Sequence, residues 1–171
     1  MKTNEEILPL VDESDEIIGS AAFSEVHKKG ILHREVYVYV INSLRQILLQ
    51  RRNDDGLWDH SAAGHFGVDE TYLEGAQREL REEVGLNLSF DKFKEIGYEK
   101  FETQKNSKKN SRFVKIYLVK TDLPIEDLVL QDSEVLEVKY FNKQEIESLC
   151  EAGKVRNTAR KLLSEQILKL I

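Results

Sequence analysis

The stretch from Thr71 to Gly85 constrains this chain more than any other, because both ends of an element and the face it must bury are written in its residues. Thr71-Tyr72-Leu73-Glu74 carries the capping-box pattern, a hydroxyl followed three positions on by a glutamate, and predicts a helix starting at Thr71. Leu73, Ala76, Leu80 and Val84 recur at helical spacing as its apolar face. Gly85 stands where a C-cap glycine belongs. Glu79, Glu82 and Glu83 are related by i, i+3 and i+4, so the three crowd one side of the helix. At ~100° per residue that side lies opposite or beside the apolar stripe. Like charges at this spacing repel one another. Arg78 and Arg81 adjoin them, Arg78 within reach of Glu82, while small Gly75 and Ala76, one turn before Glu79, leave room for a ligand. Such a cluster is either a solvated charged face or a site for a hard divalent cation, which prefers carboxylate oxygens and keeps waters for a phosphate substrate. The cluster alone does not choose between them.

Around this helix the chain reads as strands with helices interspersed, an α/β sandwich. Leu10-Val11, a polar turn from Asp12 to Glu16 and Ile17-Ile18-Gly19 predict an opening hairpin. Ser24 is placed to cap a short helix ending at Gly30. Val36–Ile41 and Gln46–Arg51 predict two strands joined near Asn42-Ser43, with a loop at Asn53-Asp54-Asp55-Gly56 before Trp58. Further strands are expected at Glu95–Tyr98, Phe113–Lys120 and Val135–Phe141, and helices at Lys143–Glu151 and Thr158–Leu170. Lys105 to Asn110 reads as a basic loop between strands.

The wider spacing decides what the glutamates are for. Gly64, five residues, Glu70, seven residues, then Arg78-Glu79-Leu80-Arg81-Glu82-Glu83-Val84-Gly85-Leu86 resembles the Nudix hydrolase signature at every defined position of residues 64–86. The resemblance implies an α+β fold, a mixed β-sheet between α-helices, in which the signature forms a loop, a helix and a second loop. It implies that Glu79, Glu82 and Glu83 bind Mg²⁺ or Mn²⁺, helped by the backbone carbonyl of Gly64. Arg78 would orient a carboxylate, and Glu70 and Gly85 would be structural. Water then attacks one phosphorus of a diphosphate linkage, with a carboxylate collecting its proton. In this family that base lies on the helix or a later loop, where Glu134 is the candidate; a plain surface carboxylate at a strand end is the other reading of Glu134.

Composition fits a single domain over residues 1–171, long enough to bury a core without disulfides. The hydrophobic fraction is 40%, and 31 acidic against 25 basic residues give a net charge of −6, no footprint for a nucleic-acid backbone or an anionic membrane. Cys150, the single cysteine, forms no internal disulfide and suits a reducing cytosol. The longest aliphatic-aromatic run, Val36–Ile41, is far short of the ~20 residues that span a bilayer, and Met1–Glu6 lacks a secretion signal. A cytoplasmic protein acting on a small phosphorylated molecule is expected, and the family resemblance makes a homodimer possible.

Residues before the signature give a finer resemblance. Leu10-Val11-Asp12-Glu13, Gly19, His27, His33-Arg34, Gln50-Arg51-Arg52 and Leu57-Trp58-Asp59 through Gly64-His65 look like the isopentenyl-diphosphate isomerase-like branch of Nudix proteins. In the isomerases, histidines matching His27, His33 and His65 bind a metal with acidic residues from a later strand, and a cysteine two positions before the His65 equivalent moves the proton. Here Ala63 stands in the cysteine's place, and the later region reads Lys109-Asn110-Ser111-Arg112-Phe113 without the acidic pair. Isomerising an unactivated alkene needs a protonating group and an opposing base, so hydrolysis of a nucleotide or other small organic diphosphate is the expected chemistry. A cofactor diphosphate such as thiamin diphosphate is the alternative substrate. Of the histidines, His27 is expected on a helix surface, and His33, just before a strand, is expected to cap it or to contact solvent. His65, inside the signature loop, is open to a substrate, second-metal or structural role. Arg51 and Arg52 suit a substrate phosphate geometrically, and Trp58 is open to base stacking or to the core.

Overall fold

The structure is a computed structural model that describes residues 5–105, 108–131 and 133–171. Nine strands and four helices follow one another as β1 (Ile7–Val11), β2 (Ile17–Ala22), α1 (Phe23–Lys29), β3 (His33–Ile41), β4 (Ile47–Arg52), β5 (Trp58–Asp59), β6 (Ala62–Gly64), α2 (Tyr72–Val84), β7 (Phe93–Lys105), β8 (Lys108–Lys120), β9 (Val135–Phe141), α3 (Lys143–Glu151) and α4 (Asn157–Glu165). This is the mixed sheet between helices that the resemblance implies.

Strand β3 organises it. Its alternating valines and tyrosines are buried on both faces, which a strand tolerates only between two covering layers. Val36, Val38 and Val40 face α2, packing with Ala76, Leu80 and Val84. Tyr37, Tyr39 and Ile41 face α3 and α4, packing with Ile146, Leu162 and Leu163. One edge of β3 pairs in parallel with β8 along its whole length, from His33↔Arg112 to Ile41↔Lys120. Along the other edge it changes partner, meeting β1 at His33, β6 at Val36–Val38 and β4 at Val40–Ile41. The sheet therefore splits open beside β6, and the signature loop runs into the fork.

Helix α2 forms as its ends predict. Thr71 Oγ1 accepts from the Glu74 amide at 3.3 Å while the Thr71 amide donates to Glu74 Oε2 at 2.8 Å, the reciprocal capping box. Gly85 closes the helix in the left-handed region at φ 76°, and a Cβ there would fall 2.7 Å from the Val129 amide nitrogen. Only glycine meets both demands.

Three expectations are corrected. Gly75 does not make room for a ligand: a Cβ there would lie 2.7–2.9 Å from the Phe66 side chain, so its smallness serves helix packing. Ser24 lies inside α1 and caps nothing; its amide donates to Glu5 Oε1 at 2.6 Å, a carboxylate from the preceding segment taking the cap's part. Lys109 and Asn110, read as loop, belong to β8 in a long hairpin with β7, whereas Asn106 and Ser107 lie outside the described residues. Among the described residues, no helix is long and apolar enough to cross a membrane.

Candidate active site

The three glutamates of α2 sit in three environments. Glu83 is 1% exposed and receives hydrogen bonds from Gln50 Nε2 at 2.8 Å, the Ala63 amide at 2.9 Å and Arg52 Nη1. It lies within the buried face, not apart from it as the helical projection suggested, because β4 and β6 supply donors there. Burial pushes its carboxyl up to about 7 even though Arg52 opposes the shift. Glu79 is more strongly raised, to about 8: burial leads, Arg78 works against it, and Glu83 and Glu82 add repulsion. Glu82 is 45% exposed at its side chain and pairs with Arg78 at 2.9 Å.

Arg78 ties the signature together. Its Nε donates to Glu70 Oε1 at 2.9 Å and its Nη2 to the His65 carbonyl at 2.7 Å, while Nη1 meets Glu79 at 2.8 Å. Glu70 in turn accepts from the Gly67 amide at 2.8 Å, fixing the loop before the helix. Gly64 is glycine because a Cβ there would stand 2.5–2.7 Å from the Glu79 carboxylate oxygens. The closeness that forbids a side chain lets backbone and carboxylate face one small volume. Crowded carboxylates beside a bare backbone are an oxygen donor set suited to a hard divalent cation.

Beside them opens a cavity of about 460 Å³. Gly64, Glu79, Arg52, Glu134 and His65 border it, so the loop glutamate read from sequence meets the helix glutamate across one space. Arg52 bridges Glu83 and Glu134, the latter at 2.9 Å. Two other expected substrate contacts lie elsewhere. Arg51 projects from the opposite face of β4 and pairs with Glu137 at 2.9 Å and the Gly56 carbonyl at 2.9 Å. Trp58 packs edge-on against Phe141 with ring centroids 4.7 Å apart and belongs to the core.

The structure brings the histidines together. His33 is fully buried rather than facing solvent, while His27, part-exposed on α1 as expected, has its ring centroid 5.0 Å from that of His33, since β1 and α1 fold over the start of β3. With His65 they form a cluster whose ligand atoms all lie within 4.8 Å of one another. His27 Nδ1 lies 3.0 Å from the Phe23 carbonyl and His33 Nδ1 2.8 Å from the Ile31 carbonyl. A carbonyl only accepts, so both Nδ1 atoms are donors here. His33 Nε2 and His65 Nε2 are 3.1 Å apart. Burial lowers both rings, His65 to about 3, which keeps the imidazoles neutral as metal ligands require.

Comparison with known proteins agrees with this geometry. The NUDIX domain family model matches residues 31–166. The chain belongs to the Nudix family. An uncharacterized Nudix hydrolase of Nostoc sp. is 34% identical over 157 residues, covering 82% of this chain and 88% of its own. Nudix hydrolase 3 of Arabidopsis thaliana is 40% identical over 152 residues, 82% of this chain but 20% of that protein, and an isopentenyl-diphosphate Delta-isomerase of Photorhabdus laumondii is 38% identical over 99 residues, 55% of this chain and 56% of the isomerase. The chain thus spans a fifth of the plant relative's length and about half of the isomerase's. Among solved structures, DR0079 from Deinococcus radiodurans shares the fold with a TM-score of 0.72 at 22% identity, covering 93% of this chain and 97% of that one.

Within the Nudix frame, one wall of the cavity was invisible to sequence reasoning. Glu35, Tyr37 and His60 border it with Arg112 and Arg156, residues scattered over β3, β8, the turn between β5 and β6 and the turn before α4. Arg112 is buried, with Nη2 3.0 Å from the Tyr37 hydroxyl and Nε paired to Glu35. Burial would raise the Glu35 carboxyl, but the Arg112 guanidinium, the Tyr37 hydroxyl and the neighbouring histidines together outweigh it and hold the group at about 2. The signal in the sequence was Arg112 itself, an arginine amid the apolar alternation of β8.

Proposed function

We propose that this Nudix protein is a metal-dependent pyrophosphohydrolase that cleaves a diphosphate linkage in a nucleotide or other small organic diphosphate. The observation that carries the reading is the convergence of Glu79 and Glu83, buried and crowded, with Gly64 at the mouth of a polar cavity. The carboxylates of Glu79, Glu82 and Glu83 and the Gly64 carbonyl would hold Mg²⁺ or Mn²⁺, which neutralises phosphate oxygens and acidifies the attacking water when bound.

The chain's own residues do the rest. Arg78 holds Glu79 and Glu82 at fixed distances while anchored to the His65 carbonyl. Arg52, 15% exposed at its side chain, draws Glu134 toward the cavity and offers a cation to a phosphate oxygen there. Glu134 accepts the proton of the attacking water as a new P–O bond forms, the bridging P–O bond breaks and the second phosphate leaves. A positioned base of this kind is worth ~10²–10⁴-fold in rate.

The imidazoles of His27, His33 and His65, two with Nδ1 fixed on carbonyls, suit a second divalent ion of the nitrogen-preferring kind such as Zn²⁺. Isomerisation is disfavoured: Ala63 borders the cavity where a proton-transferring thiol would be needed. A cofactor diphosphate such as thiamin diphosphate remains within the same chemistry.

The test is phosphate release from a panel of diphosphates. EDTA should abolish turnover and Mg²⁺ or Mn²⁺ restore it; full turnover in chelator removes the proposal. In deuterated water, isopentenyl diphosphate should gain no enzyme-dependent deuterium.

A further inference from the structure

The face of β3 and β8 that packs against α4 is apolar through Tyr39, Ile41, Val114 and Ile116, and becomes ionisable as it enters the cavity. There Glu35 and Arg112 form a buried pair, and Asp59, also buried, accepts from Arg156 Nη1 at 3.3 Å. Burying two ion pairs yields little net stability, since desolvation consumes most of the Coulomb gain, and well-packed apolar residues serve a core as well or better. Something other than packing retains them.

His60 sharpens the point. It is 1% exposed, stacks on Tyr37 with centroids 3.8 Å apart, and has Nδ1 2.7 Å from the Tyr39 hydroxyl. Its Nε2 finds no hydrogen-bond partner among the described residues; Asp59 Oδ1 is 3.4 Å away but out of line. Asn110 Oδ1, on the same cavity wall, is likewise buried and unpartnered. Leaving such atoms unpaired in a buried site is costly, so a ligand that completes them is favoured.

We propose that this wall is the specificity site for the non-phosphate half of the substrate, and that it selects an uncharged, hydroxyl-rich group such as a sugar over a branched hydrocarbon chain. Glu35 and Asp59, each held by an arginine, offer spare carboxylate lone pairs, and Asn110 offers an amide oxygen. These are acceptors for hydroxyl donors, while His60 Nε2 completes the set. A prenyl tail would bury against all of them without satisfying one. The inference rests on the hydrolase reading and adds the class of group attached to the diphosphate.

The experiment pairs two five-carbon compounds, ribose 5-diphosphate and isopentenyl diphosphate, assayed by phosphate release with Mg²⁺. A site built to bond hydroxyls rejects analogues lacking them by large factors, so kcat/KM should favour the ribosyl compound by at least ~10²-fold. His60→Phe, which keeps the stacking on Tyr37, should cut that preference at least ~10-fold through a higher KM for the ribosyl compound. Saturation-transfer NMR of wild-type protein with free ribose and with isopentenol gives a readout that needs neither turnover nor a folded variant: ribose should show transfer and isopentenol none. Equal kcat/KM values, a preference for the prenyl compound, or transfer to isopentenol alone would overturn the proposal. Absence of hydrolysis of either diphosphate together with transfer to ribose would strike the hydrolase reading and leave this one standing.

Discussion

Replacing Glu79 with glutamine should stabilise the metal-free protein, and only at neutral to alkaline pH. Burial, reinforced by Glu83 and Glu82, raises the Glu79 carboxyl from an ordinary 4.5 to about 8, with Arg78 too weak an offset. A raised carboxyl means the fold prefers the neutral form. Its contribution is therefore fully present below pH ~4.5 and lost as pH climbs toward 8. At ~1.4 kcal/mol per unit, the full shift corresponds to about 5 kcal/mol, and side-chain relaxation with water entry leaves about 2 kcal/mol as the expected penalty at pH 8. Glutamine carries no charge to desolvate. Glu79→Gln should melt about 4–8 °C above wild type in EDTA at pH 8, with the gap closing by pH 5. Adding Mg²⁺ should reverse the order, because wild type gains binding free energy that the variant largely forgoes. Thermal unfolding followed by circular dichroism at the two pH values, with and without metal, checks each part. A variant less stable than wild type at pH 8 in chelator, or a gap that does not change with pH, would refute the reasoning.

Glu82→Gln should lower kcat by at least ~10²-fold with Tm unchanged within ~1 °C, since Glu82 is 45% exposed and its loss leaves no buried group unpaired; steady-state kinetics and calorimetry read the two effects. Arg51→Ala should leave KM for the diphosphate unchanged, because Arg51 pairs with Glu137 outside the cavity. Thr71→Ala should cost about 1 kcal/mol, a fall of ~2–4 °C in Tm, through loss of the capping box, with kcat preserved.

Helix α2 was legible to its caps because capping is local: Thr71 and Glu74 satisfy each other within one turn, and Gly85 is required by its own φ. The ends of β9 and α3 agree with the expected Val135–Phe141 and Lys143–Glu151 for the same reason, an extended run meeting a capped turn. Glu83 shows where such reasoning stops. From the helical projection it belonged with its charged neighbours. Three donors from β4 and β6, up to 33 residues away, make its burial tolerable, and a periodicity does not contain them. Ser24 failed similarly, since the carboxylate that replaced it as a cap arrives from Glu5.

The cavity wall is the clearest case of information that only topology releases. Read along the chain, Asn110 and Arg112 are simply not acidic, and the isomerase pattern looks vacated there. Read across the sheet, β8 lies parallel to β3 with Arg112 opposite His33 and Val114 opposite Glu35, so an arginine and a glutamate 77 positions apart become an ion pair inside the cavity wall. A lone buried guanidinium costs several kcal/mol, and Glu35 offsets it at close range. The departure at Arg112 is thus a charge inversion with its compensation built into the neighbouring strand, not a lost site. It follows that the two positions act as a unit. Changing Arg112 alone would leave Glu35 uncompensated, so a wall of different chemistry requires both residues to change together.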